Sequence, residues 1–264
     1  MSNTLPIVSI DVDDRILISE LVERIYKECP EVLYHYTSSK SAEMIKKSKV
    51  IYFGDSRQLA DNSEQKDIFE ILRNLANLCD YPHTFKTYLQ TISSHKYLDK
   101  FLQVNAASFD IPRFFVFSCS PDKCSDYLIS HYSKNGDDPG CRITINVKGL
   151  EESYYSKYLE VVPIIYDKSD KEKLVNLIVD HALEKFNEAN SDDDQLTIIG
   201  TMVSYLMYAG IYMKNESFSK ESEVRILLVE CEDTARDLRQ YRIDEHSRYE
   251  LPIVEKFCSE FLYL

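Results

Sequence analysis

Glycine and proline are scarce, 6 and 8 in 264 residues, and tryptophan is absent. So little backbone punctuation, beside 44% apolar and 12% aromatic residues, excludes a collagenous, low-complexity or disordered chain and predicts a folded core. Excess positive charge is lacking too. Lys and Arg number 31 against 44 Asp and Glu, a net charge of -13. A surface of that sign does not track a phosphate backbone, so general DNA or RNA binding is not expected, and only a local basic pocket stays open. No apolar run approaches the roughly 18 residues of a membrane span. The richest stretch, residues 196–213, is interrupted by Thr, Gly and Ser and reads as a buried helix. Residues 1–14 alternate apolar residues with acids and show no basic start before an apolar run, so no signal peptide is readable. The cysteines, Cys29, Cys79, Cys119, Cys124, Cys141, Cys231 and Cys258, are odd in number and lie mostly inside apolar runs, as suits reduced core thiols. The expectation is a soluble, cytoplasmic protein with no membrane partner, folded as one main domain over residues 1–264.

Hydrophobic periodicity predicts an α+β fold. Apolar residues at helical spacing predict helices over residues 14–29, 64–78, 85–93, 95–104 and 171–187, with a long apolar helix capped by Asp193 and ending near Met213. Residues 38–47 read as a short helix capped by Ser39 or Ser41. Strands are expected over 32–37, 49–53, 113–119, 141–147, 158–166, 223–230 and 249–254. Strands from both chain halves then form a mixed sheet, with residues 64–104 as a helical insertion.

The familiar chemical signatures are missing. There is no G-x-G-x-x-G, no G-K-[ST] loop, no H-E-x-x-H and no G-x-S-x-G, which rules out a Rossmann-type dinucleotide site. Three segments concentrate polar groups beside strand residues: Tyr34-His35-Tyr36-Thr37-Ser38, Leu59-Ala60-Asp61-Asn62-Ser63-Glu64 and Lys220-Glu221-Ser222-Glu223-Val224-Arg225. Each has a plain structural alternative. His35 reads equally as a core histidine, Glu221, Glu223 and Arg225 as a solvated strand face with an ion pair, and Asp61 and Glu64 as helix caps. Tyr127 and Tyr132 read as packing residues as readily as ring-stacking ones. Cys119, Cys124, His131 and Cys141 have the donor types of a zinc site, but their spacing suits one poorly, so no metal is expected. Metal-dependent phosphodiester cleavage through Asp61, Glu64 and His35 would need more clustered carboxylates.

These segments, with Phe117-Ser118-Cys119-Ser120, resemble a broad uncharacterised bacterial family whose members read H-Y-T-S, L-N-D-x-S-E, a C-F-S-like strand and E-x-E-x-R in that order. The resemblance spans roughly residues 33–226, with two departures: Asp61-Asn62 replaces Asn-Asp, and the family's Trp after the C-F-S strand is missing. The motif order is also similar to the ADP-ribosyltransferase superfamily, where a His or Arg on an early strand, a Ser or Tyr on a middle strand and a Glu on a late strand meet around NAD. That resemblance implies a split sheet and NAD as substrate. It also implies a protein or nucleic-acid acceptor, or simple NAD hydrolysis, in a bacterial conflict, toxin or phage-defence setting. By it, Glu223, Glu221 and His35 are the catalytic candidates. His35, Tyr36, Thr37, Ser118, Ser120, Tyr127, Tyr132 and Arg225 are the candidates for holding NAD. It further requires His35 and Glu223 to lie on adjacent strands and face one cleft. The alternative in another class is a catalytically silent module that binds a nucleotide or a protein. The chemistry suits a fixed acid, because cleaving a glycosidic bond to nicotinamide builds positive charge on the ribose carbon. On a strand, Glu221, Glu223 and Arg225 would share one face.

Overall fold

The computed structural model describes residues 30–56, 64–94, 113–133, 138–152, 156–230, 248–252 and 257–264. The expected helices over 14–29 and 95–104 lie outside them. In chain order the strands are β1 (Val32–Thr37), β2 (Val50–Asp55), β3 (Arg113–Cys119), β4 (Cys141–Asn146), β5 (Leu159–Pro163), β6 (Val224–Glu230), β7 (Arg248–Pro252) and β8 (Cys258–Tyr263). The helices are α1 (Ser39–Ser48), α2 (Glu64–Leu78), α3 (His83–Ile92), α4 (Asp126–Tyr132), α5 (Val147–Glu151), α6 (Lys168–Glu188) and α7 (Asp192–Gly210). The fold is α+β, and no helix among the described residues is long and apolar enough to cross a membrane.

Two compact units emerge. One draws on residues 61–112 and 165–216 and holds α2, α3, α6 and α7. The other draws on 28–60, 113–164 and 217–264 and holds the strands with α1, α4 and α5. Among the described residues the expected insertion supplies α2 and α3 of the helical unit, while α6 and α7 arrive from the second chain half.

In the helical unit, α6 buries Leu174, Val175, Ile178, Val179, Ala182 and Phe186, a three-to-four spacing that makes one apolar stripe. Phe85 of α3 meets Phe186 edge to face, ring centres 5.1 Å apart. Beneath α6 the buried Lys171 ammonium pairs with Asp67 Oδ2 at 2.6 Å. Helix α7 is apolar on most sides, burying Ile199, Met202, Val203, Leu206 and Ala209. Its N-cap is Ser191 and not Asp193, since Ser191 is extended and its hydroxyl accepts from the Asp194 N–H. Asp192, Asp193 and Asp194 instead occupy the first turn, where the helix dipole favours acids.

In the sheet unit the expected mixed sheet resolves into two antiparallel sheets, ordered β1-β4-β8 and β5-β6-β3-β2-β7. A pair of backbone hydrogen bonds between Tyr34 and Ser120, each 2.8 Å, ties β1 to the end of β3. Leu33, Phe53, Phe115, Phe117, Ile143 and Ile226 belong to one buried cluster. Ser38 caps α1, in place of Ser39 or Ser41, because it keeps an extended backbone while its hydroxyl accepts from Ser41 N–H. The late strand begins at Val224 and not at Glu223, after Ser222 turns the chain at a φ of 45°.

Candidate functional site

Alternation along β3 decides which side chains meet. Phe115, Phe117 and Cys119 enter the buried cluster, so Phe114, Val116 and Ser118 occupy the other face. Ser118 stands opposite Arg225 in the β3–β6 ladder, and directly paired residues share a face. Glu223, two positions before Arg225, projects the same way, and its carbonyl is held by the Ile164 N–H at 3.0 Å.

Hydrogen bonds follow from that placement. The Ser118 hydroxyl donates to Glu223 Oε1 at 2.5 Å. Arg225 donates to the same oxygen through Nε at 2.9 Å and to Oε2 through Nη2 at 3.4 Å. Arg225 is 1% exposed and Glu223 5%, so this is a desolvated ion pair and not the solvated strand face that composition alone would suggest.

His35 joins the same cluster from β1. Its Nδ1 lies 2.7 Å from the Ser118 carbonyl oxygen, and a carbonyl only accepts, so Nδ1 carries the proton and Nε2 presents a lone pair. The ring stacks on Phe117 with centres 4.2 Å apart. Desolvation pulls the His35 pKa down to about 4, against an upward pull from the Ser118 carbonyl, so the ring is neutral at ordinary pH. Ser118 thus serves both candidates at once, its carbonyl fixing the histidine tautomer and its hydroxyl bonding the carboxylate.

The strands are not arranged as expected. His35 sits on β1, whose ladder partner is β4, and Glu223 precedes β6, whose partners are β5 and β3. They are not on adjacent strands, and β3 mediates between them through Ser118. Glu221 does not share the strand face with Glu223 and Arg225, because it ends the 3-10 turn Glu216–Glu221, ahead of the left-handed Ser222. Tyr36 is buried, and its hydroxyl donates to the Asp122 carbonyl at 2.6 Å and accepts from the Ser125 N–H at 3.3 Å. Ser120 is buried and accepts from the Asp122 N–H, which makes it a turn residue. Thr37 ends β1 opposite Cys141. Tyr127 and Tyr132 lie on α4 with rings against His131. Residues 59–63 of the second motif lie outside the described residues. Cys119 and Cys141 are buried and Cys124 is exposed, and no group of three or more His, Cys, Asp or Glu able to hold a metal occurs among the described residues.

With this geometry in place, comparison adds one finding. Part of the chain is similar to a family of unknown function. The match, described as "Protein of unknown function (DUF2971)", covers residues 129–226. It takes in Glu223 and Arg225 but stops short of His35 and Ser118. No curated protein and no solved structure matches the chain. Two residues escaped the sequence reading. Phe117 was read only as part of a motif, although its place one residue from Ser118 in an alternating strand puts it on the opposite, inner face. Arg142, buried in β4, carried a signal in being the one cation within an apolar strand segment, Cys141-Arg142-Ile143-Thr144-Ile145.

Proposed function

We propose that the cluster of His35, Ser118, Glu223 and Arg225 takes NAD as substrate and transfers its ADP-ribosyl group to a macromolecule or to water, releasing nicotinamide. The observation that carries the reading is that Ser118 hydrogen-bonds both His35 and Glu223, so candidates from an early, a middle and a late strand converge although more than 100 residues separate Ser118 from Glu223. In the reaction the bond between the ribose C1′ and the nicotinamide nitrogen breaks, nicotinamide leaves with the electron pair, and the acceptor forms the new bond to C1′. Glu223 would accept a hydrogen bond from the ribose 2′-hydroxyl and stabilise the positive charge developing on the sugar. The unprotonated Nε2 of His35 suits a second sugar hydroxyl, a donor, better than it suits a phosphate. Arg225 holds the carboxylate ionised and in place. The resemblance points to a bacterial conflict or phage-defence setting.

The test is nicotinamide release by wild type and Glu223→Gln. Turnover in the variant should fall by about two orders of magnitude or more, while NAD affinity changes far less because the interaction strengthens in the transition state. Equal turnover in both proteins ends the catalytic assignment. A second reading, a silent binding module, is favoured by the burial of Glu223 and by the engagement of both its oxygens with Arg225. No turnover in wild type, together with a thermal shift on adding NAD or ADP-ribose, would select it.

A further inference from the structure

Arg142 is a buried guanidinium with no carboxylate against it among the described residues. It stands opposite Tyr36 in the β1–β4 ladder, at 5% exposure, with its guanidinium 5.2 Å from the centre of the Tyr34 ring. Nη1 donates to the Lys123 carbonyl and lies 4.0 Å from the sulfur of Cys124, while Nε is buried without a hydrogen-bond partner among the described residues. A buried cation with one orphaned N–H is expensive unless something anionic meets it. The cysteine in reach is an exposed residue. The turn that carries it is pinned on both sides, by the Tyr36 hydroxyl to the Asp122 carbonyl and by the Ser125 N–H to the Tyr36 oxygen. The Cys124 N–H is itself held by Asp122 Oδ1 at 2.9 Å. Cys124 is therefore an exposed residue on a pinned turn, with its sulfur 4.0 Å from the guanidinium.

We propose that Cys124 is a site of two-electron oxidation by hydroperoxides, with Arg142 stabilising the oxygen that departs and then holding the oxidised sulfur. The sulfur attacks the terminal peroxide oxygen, an S–O bond forms and the O–O bond breaks. The departing oxygen takes that electron pair and the thiol proton, leaving as water or an alcohol, and the sulfur becomes a sulfenic acid. Negative charge developing on the departing oxygen is met by the guanidinium, whose fork offers more donors than the Lys123 carbonyl uses. The product oxygen extends from a sulfur 4.0 Å from Arg142 Nη1, so it can accept from that end of the guanidinium. Cys141 also feels the Arg142 charge, but it is buried. Cys119 and Cys141 are buried, and burial pushes the Cys141 thiol up to about 11 and the Cys258 thiol up to about 12.

The experiment treats the full chain with hydrogen peroxide, traps sulfenic acid with dimedone, and reads each cysteine by peptide mass spectrometry, in native protein and in urea. Exposure alone can at most bring a native cysteine to its rate in the unfolded chain. The expected result is Cys124 reacting at least about tenfold faster in the native protein, short of the roughly two orders of a desolvated site because the residue is exposed, with Cys119 and Cys141 protected. A native rate at or below the unfolded rate overturns the proposal. Arg142→Gln, checked for folding by circular dichroism, should lose the acceleration, and a folded variant that keeps it also overturns the proposal. If Arg142→Gln does not fold, the native-to-unfolded ratio of the wild type decides alone.

Discussion

The helical and sheet units solve the same packing problem with different materials. In the helical unit the interior is almost wholly apolar, and its buried cation, Lys171, pairs with an Asp67 whose side chain is 25% exposed. In the sheet unit Arg225, Glu223 and Arg142 are all at or below 5% exposure. Desolvating an ion costs several kcal/mol, and apolar residues of similar volume would stabilise a fold at least as well. The sheet unit therefore carries charges that stability does not require. That difference marks it as the place to look for chemistry.

The comparison can be broken most forcefully at Arg225. Arg225→Met takes the guanidinium away from the buried Glu223 carboxylate and should cost about 3–5 kcal/mol, and Glu223→Gln in the same chain should restore part of it. Amide hydrogen exchange read separately in each unit checks this, and the loss should appear in the strands. The matching change in the helical unit is Leu72→Ala. Leu72 is fully buried and lines an apolar pocket with Ile68, Phe69, Ile92, Val203 and Leu206, so the expected loss is about 2–5 kcal/mol, confined to the helices.

A smaller effect comes from pH. The native pKa of His35, about 4, lies below its ordinary 6.5, so between those values the unfolded chain binds a proton that the native state refuses. This contribution is intact above about 6.5 and is lost as pH falls toward 4, at no more than about 1.4 kcal/mol per pH unit. Urea midpoints of wild type and His35→Gln across that window should diverge, with the variant less sensitive to acid. Smallest are the caps. Ser38→Ala and Ser191→Ala should each cost about 1 kcal/mol, one in each unit, and equal losses by hydrogen exchange would show that the units differ in interior and not in helix-end chemistry.

Much of this contrast was legible beforehand. The boundaries of β1 and α2 follow from alternation and helical spacing, and those of β3 from an unbroken run of Phe and Val. The expected caps lie one to three residues from the observed ones because several serines and aspartates stand close together, and only backbone conformation decides which one turns the chain. The polar segments at His35, Ser118 and Glu223 were readable as candidates, yet their joining was not. A hydrogen bond from His35 to a carbonyl belongs to the backbone of Ser118, which every residue carries and no motif records. The exclusion of Glu221 from the strand face turned on the positive φ of Ser222, a conformation that serine adopts rarely and that composition does not announce.

The chain leaves the sheet unit after residue 60 and again after residue 164 to build the helices. Its central ladder, β3 with β6, consequently joins partners separated by roughly the length of a small domain, Ser118 and Glu223 being 105 positions apart. Contacts of such long sequence separation are entropically slow to close, whereas α6 and α7 are consecutive and can pair soon after they form. During synthesis the helices can therefore pack while the sheet still lacks its sixth strand. The carboxylate arrives with that strand, so a nascent chain can hold a finished helical bundle and still carry no site.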